Sequence, residues 1–105
     1  MTWEYTFPYD NDEVYFAYSY PYTYSNLESY ITKIEADSYL RTICQRSSLC
    51  KTIAGNNVQL LTITEEHPFQ KIKKGYIIIT ARIHPGESVS SYVCNGILEF
   101  LLSTN

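Results

Sequence analysis

Gly75-Tyr76-Ile77-Ile78-Ile79-Thr80-Ala81-Arg82-Ile83-His84-Pro85-Gly86-Glu87-Ser88 is the stretch on which the reading of this chain turns. From Tyr76 to Ile83 the apolar side chains fall on successive residues rather than alternate ones. Such a run predicts a strand covered on both faces, the pattern of a central strand in an α/β sheet. Behind it, Pro85 stiffens a turn, Gly86 permits unusual backbone angles, and Glu87 places a carboxylate at the positive end of a helix dipole. Val89, Tyr92, Val93, Gly96, Ile97, Phe100 and Leu101 form one broad stripe, which predicts that helix from about Ser88 to Leu102. Residues at the carboxyl end of a central strand face the crevice where α/β enzymes bind ligands. An imidazole and a carboxylate three residues apart at that place, His84 and Glu87, can take one Zn2+ ion from the same side. The chemistry suggested is metal-assisted hydrolysis. The plainer alternative is a half-buried, hydrogen-bonded His84 beside a Glu87 that serves only as a helix-start charge.

Upstream, Leu49 to Ile53 and Val58 to Thr64 are β-prone runs separated by Ala54-Gly55-Asn56-Asn57, whose Gly and Asn tolerate positive φ. They predict a hairpin. Ser25-Asn26-Leu27-Glu28 fits a capping box, so a helix is expected from Asn26, with Leu27, Tyr30, Ile31 and Ile34 as its apolar face, fading near Asp37 to Leu40. Arg41 to Ser47 has no clear period and reads as connection. Eight of the 11 tyrosines lie between Tyr5 and Tyr30. Val14, Phe16, Tyr18 and Tyr20 alternate with Tyr15, Ala17 and Ser19 at a strand period after the turn-like Asp10 to Glu13, so an aromatic strand pair is expected. Two strands do not make a stable sheet alone. The segment therefore reads as the tail of a β domain.

Composition narrows the class. The chain has 105 residues, 45% hydrophobic and 18% charged, which describes a globular protein with room for one small domain or a piece of a larger one. No apolar stretch approaches the roughly 20 residues that span a bilayer, and Met1 to Pro8 lacks the basic start and apolar core of a secretory signal. A cytoplasmic protein with no membrane partner is expected. A net charge of -3 gives no broad positive field, so no nucleic acid partner is expected. Lys71, Lys73 and Lys74 read as a solvated loop. Cys44, Cys50 and Cys94, three without paired spacing, read as reduced and structural. His67 belongs to the loop feeding the start of the Tyr76 to Ile83 strand, the far end from His84, and so reads as a structural loop residue rather than a ligand.

Tyr5-Thr-Phe-Pro-Tyr9, Tyr15-Phe-Ala-Tyr-Ser-Tyr-Pro-Tyr22, Leu49-Cys-Lys-Thr-Ile-Ala-Gly-Asn56, Leu61-Thr-Ile-Thr64 and Ala81-Arg-Ile-His-Pro-Gly-Glu-Ser88 together resemble the cytosolic carboxypeptidases. These are zinc metallocarboxypeptidases and include tubulin deglutamylases. The resemblance runs over nearly the whole chain, with the motifs in order. It implies the start of a mixed-sheet α/β catalytic domain over residues 23–105, preceded over residues 1–22 by the last strands of a β-rich domain. His84 and Glu87 would be two of three zinc ligands, in an enzyme that removes C-terminal residues from protein or peptide tails, often glutamates from tubulin. A cytoplasmic, cytoskeleton-associated location follows from the same resemblance.

The family's third ligand, its catalytic glutamate and its substrate clamp match no residue of this sequence. On that footing the chain is expected to be a fragment or an incompletely delimited reading frame, inactive alone, with Tyr76 to Ile83 exposing apolar surface. Two rival readings stand beside it. One is an aspartoacylase-like zinc amidohydrolase, which also uses an HxxE pair but would not be expected to carry the tyrosine-rich segment. The other is a non-catalytic remnant acting as a binding module through its aromatic surface.

Overall fold

The computed structural model describes residues 2–65 and 73–103. Its elements run in the order α1 (Tyr24–Ala36), α2 (Leu40–Ile43), β1 (Cys44–Lys51), β2 (Asn57–Ile63) and α3 (Ser88–Leu101). Helix α3 lies where the apolar stripe placed it. His67 and Lys71 fall outside the described residues, and so do the expectations attached to them.

Helix α1 starts two residues earlier than Ser25-Asn-Leu-Glu28 suggested, because a better cap stands upstream. Thr23 Oγ1 accepts from the Asn26 amide at 3.1 Å, and Asn26 Oδ1 accepts from the Thr23 amide at 2.9 Å. This is a capping box with Asn in the third position. Glu28 is thereby free for another task. Its carboxylate takes hydrogen bonds from Arg46 at 2.6 Å and from Gln59 at 2.7 Å, while Arg46 Nη1 reaches Glu35 at 3.5 Å. One guanidinium thus ties α1 to the hairpin.

The hairpin is antiparallel, with Cys44 opposite Ile63 and Lys51 opposite Asn57. Its first strand begins at Cys44 rather than Leu49, so the stretch Arg41 to Ser47 read as connection holds α2 and the opening of β1. Sequence period failed there because Ser47 and Ser48 carry no apolar signal for a strand that pairs through its backbone. The pairing slips between Ser48 and Cys50, leaving Leu49 as the extra residue of a bulge. Gly55 closes the turn at φ +83°, donating its amide to Thr52 O at 2.9 Å. Past β2, the Thr64 amide returns to Ile43 O at 2.8 Å, and Lys74 Nζ donates to Thr64 Oγ1 at 2.7 Å. Lys74 is therefore anchored to the hairpin, where a solvated loop was expected. Ile34, Cys44 and Leu102 form the buried core, with Tyr30, Leu40, Ile43, Leu61 and Ile63 packed around it. The last turn of α3 meets α1 and the hairpin at this point.

Two expected strands are corrected. Residues 14–20 form no ladder, and neither do residues 76–83. A strand exists only where its backbone groups find a neighbouring chain. Among the described residues, none between 73 and 83 makes a backbone-to-backbone hydrogen bond. The central strand covered on both faces is instead an extended segment with Tyr76 94%, Ile77 90% and Ile78 87% exposed. The sheet of the described residues has two strands, so the architecture is a small mixed α/β arrangement. Near the N-terminus the rings cluster on one another: Trp3 and Phe16 lie 4.8 Å apart between centroids, and Tyr5 meets Phe16 at 5.4 Å. Edge-on aromatic packing substitutes there for strand pairing.

Thr23→Ala should cost about 1 kcal/mol in a denaturant titration, whereas Ser25→Ala should stay within about 0.5 kcal/mol of the parent. Arg46 holds the Glu28 carboxyl below its ordinary value of 4.5, and the Leu40 and Tyr39 amides hold Asp37 below 3.8. Carboxyls lowered in the folded state add stability that is present above those ordinary values and lost as pH falls through the folded ones. Glu28→Gln should therefore lower the urea midpoint near pH 7, and the gap from the parent should narrow as pH is taken toward about 3.

Candidate metal centre

The turn carrying His84 and Glu87 is held by contacts from both sides in sequence. Residues 19–22 lie along α3. Ser19 and Ser88 share a hydroxyl hydrogen bond of 2.6 Å, Tyr92 Oη donates to Pro21 O at 2.8 Å, and Tyr22 Oη donates to Asn95 Oδ1 at 3.0 Å. The Tyr22 and Tyr92 rings meet nearly edge-on with centroids 5.1 Å apart. Burial, then the neighbouring Cys94, Tyr92 and Glu99, push the Tyr22 hydroxyl up, which keeps it a donor. Burial likewise raises the Cys94 thiol, so that sulfur stays protonated and packs as a small apolar group. Cys44, Cys50 and Cys94 are all free thiols.

Arg82 stands at the mouth of the turn with φ +56°, a left-handed angle that costs a non-glycine residue about 1–2 kcal/mol. The reversal takes the chain out of its extended course before Ile83, which is a further reason that the strand expected to reach Ile83 does not. Its amide donates to Ser90 Oγ at 2.9 Å, and Ser90 Oγ donates to Glu87 O at 2.7 Å. Within the turn, the Glu87 amide donates to His84 O at 3.1 Å, closing the four residues from His84 to Glu87.

His84 and Glu87 are both solvent-exposed. Glu87 is the N-cap of α3, yet its carboxylate makes no capping hydrogen bond. Neither side chain has a hydrogen-bond partner among the described residues. The half-buried, bonded histidine of the plainer alternative is not what the structure contains. A neutral imidazole nitrogen and a carboxylate oxygen, both uncommitted, are chemically suited to zinc. Among the described residues, no three His, Cys, Asp or Glu side chains are grouped so as to hold a metal ion. Behind the turn an open, mainly apolar cavity of about 930 Å³ runs between the helices, β2 and the extended segment, with Tyr22, Ile31, Leu61, Ile79 and Cys94 in its wall.

Arg82, Tyr22, Tyr92 and Asn95 were not legible as site residues. Arg82 sits inside an apolar run and reads as a strand residue, and no sequence signal marks a left-handed arginine. Asn95 lies on the stripe's edge, where its amide group has no period of its own.

Residues 27–105 match the zinc carboxypeptidase family. Cytosolic carboxypeptidase 2 of Homo sapiens is 41% identical over 107 residues, covering 100% of this chain and 12% of the relative. Cytosolic carboxypeptidase 3 of Mus musculus is 43% identical over 102 residues, covering 97% of this chain and 10% of the relative. Cytosolic carboxypeptidase 1 of Xenopus laevis is 40% identical over 113 residues, covering 100% and 9% respectively. No solved structure matches the chain. The chain thus spans about a tenth of the length of the curated relatives it matches. The HxxE turn ahead of α3 lies inside the matched region, and the chain belongs to the zinc carboxypeptidase family, among the cytosolic carboxypeptidases.

Proposed function

We propose that this chain is the N-terminal part of the catalytic region of a cytoplasmic zinc carboxypeptidase that removes C-terminal residues, glutamates in particular, from tubulin or other protein tails. The observation that carries the reading is the His84 to Glu87 turn at the head of α3, whose imidazole and carboxylate are both exposed and, among the described residues, without hydrogen-bond partners. The family membership supplies the reaction class. Similarity to cytosolic carboxypeptidases over the entire chain, tyrosine-rich segment included, favours this over an aspartoacylase-like amidohydrolase.

His84 and Glu87 would hold the metal, with the turn's own hydrogen bond from Glu87 N to His84 O fixing the spacing between their backbones. Zinc, when bound, supplies Lewis-acid polarisation of the scissile carbonyl and lowers the pKa of a water. The chain's part is to present two donors from one turn on the rigid end of a helix. Catalytic zinc sites use three protein ligands. The 105 residues by themselves, on this reading, bind zinc weakly and do not turn over a peptide.

Zinc added to the chain should shift the His84 ring signals in an NMR titration, and His84→Ala or Glu87→Gln should weaken binding by more than the 10- to 100-fold typical of an orienting partner. A glutamate-tailed peptide should remain uncleaved by the chain with zinc present. Zinc binding indifferent to both substitutions would sink the assignment, and turnover by the chain alone would sink the two-ligand reading.

A further inference from the structure

We propose that Arg82 is a positioning residue for the His84 and Glu87 pair, acting as a strut between the segment at residues 19–22, the turn and α3. The proposal rests on the zinc reading of that pair but makes a separate claim about how the pair is held.

One guanidinium reaches three parts of the chain. Arg82 Nε donates to Pro85 O at 2.7 Å, inside the turn itself. Nη1 donates to Tyr22 O at 3.3 Å, from the segment that lies along α3, and to Ser91 Oγ at 3.3 Å, in the first turn of α3. The backbone joins in, because the Arg82 amide and the Glu87 carbonyl are bridged by the same Ser90 hydroxyl. Arg82, two residues ahead of the turn, is thus tied through Ser90 to Glu87 at the turn's far end, and the middle of the turn, at Pro85, is tied to the guanidinium. A planar fork with several fixed donors can do this, whereas a lysine ammonium can satisfy only part of the set. Backbone held in a left-handed region by its surroundings is often found where geometry serves function. Arg82 has that angle, and its guanidinium donates to three acceptors, Pro85 O, Tyr22 O and Ser91 Oγ, that hold it there.

His84 and Glu87 have no hydrogen-bond partners for their own side chains among the described residues, so no neighbour orients the donors directly. Their placement is set by the backbone of the turn, and the backbone of the turn is set by Arg82 and Ser90. Outer partners that orient metal ligands typically account for a 10- to 100-fold change in metal affinity.

The test compares the 105-residue chain with Arg82→Gly, Arg82→Lys and Ser90→Ala. Glycine accepts the positive φ without strain, so Arg82→Gly removes the guanidinium and leaves the backbone angle allowed. Two readouts are taken from each variant: the zinc dissociation constant followed on the His84 ring, and the metal-free hydrogen-exchange rate of the Glu87 amide. Hairpin resonances, remote from the turn, report whether the fold is intact. Arg82→Gly should raise the dissociation constant about 10-fold or more and speed Glu87 exchange, with hairpin signals unchanged. Arg82→Lys should recover part of both effects, and Ser90→Ala should shift both in the direction of Arg82→Gly by a smaller factor. Parent-like values of both quantities in Arg82→Gly would overturn the proposal. If Arg82→Gly loses the hairpin signals, Ser90→Ala decides, and parent-like values there overturn it. Should zinc binding prove independent of His84, the metal reading fails, and the Glu87 exchange rate alone then decides whether Arg82 holds the turn.

Discussion

The guanidinium of Arg82 is the hub on which the functional end of this structure depends. It is the only side chain among the described residues that donates to residues 19–22, to the Pro85 carbonyl and to α3 together. Apart from it, residues 19–22 meet α3 through the Ser19–Ser88, Tyr22–Asn95 and Tyr92–Pro21 hydrogen bonds and the Tyr22–Tyr92 ring contact, and the turn is closed by the bonds among His84, Glu87 and Ser90. Each of these acceptors is a carbonyl or hydroxyl oxygen, so the strut consists of hydrogen bonds to a charged donor, stronger than neutral ones.

A second guanidinium does comparable work at the other end. Arg46 on β1 gathers Glu28 and Glu35 from α1 and Gln59 from β2. Burial alone would hold α1 against the hairpin weakly, because among the described residues the buried apolar side chains are Ile31, Ile34, Cys44 and Leu102. Directional contacts from two arginines therefore set much of the arrangement that a larger core would set in a bigger domain. The cost is visible in the row Tyr76, Ile77 and Ile78, nearly all of whose surface meets solvent. An exposed apolar row without ladder partners is a template for association.

How much of this could be read beforehand differed by the kind of physics involved. Helix α3 and the hairpin were legible because the helical stripe and the Gly55 turn are local signals that do not depend on distant partners. The start of α1 was displaced because two capping boxes overlap at Thr23 and Ser25, and Glu28 was drawn off by Arg46, which is remote in sequence. Residues 14–20 and 76–83 carry strand patterns, but a strand pattern states only a willingness to pair. The pairing itself is a tertiary event. His84 and Glu87 could be singled out from spacing, whereas the strut that holds them could not, since its acceptors are spread from residue 22 to residue 91.

On the proposed reading, metal binds at the exposed turn at the head of α3. X-ray absorption at the zinc edge on the zinc-loaded chain tests it most directly. Binding there gives a first shell of nitrogen and oxygen at about 2.0–2.2 Å with the multiple scattering of one imidazole, and loss of that imidazole signature in His84→Ala. A shell containing sulfur at about 2.3 Å, or an imidazole signature unchanged in His84→Ala, would instead place the metal on a cysteine or on the other histidine and rule out the His84 to Glu87 turn.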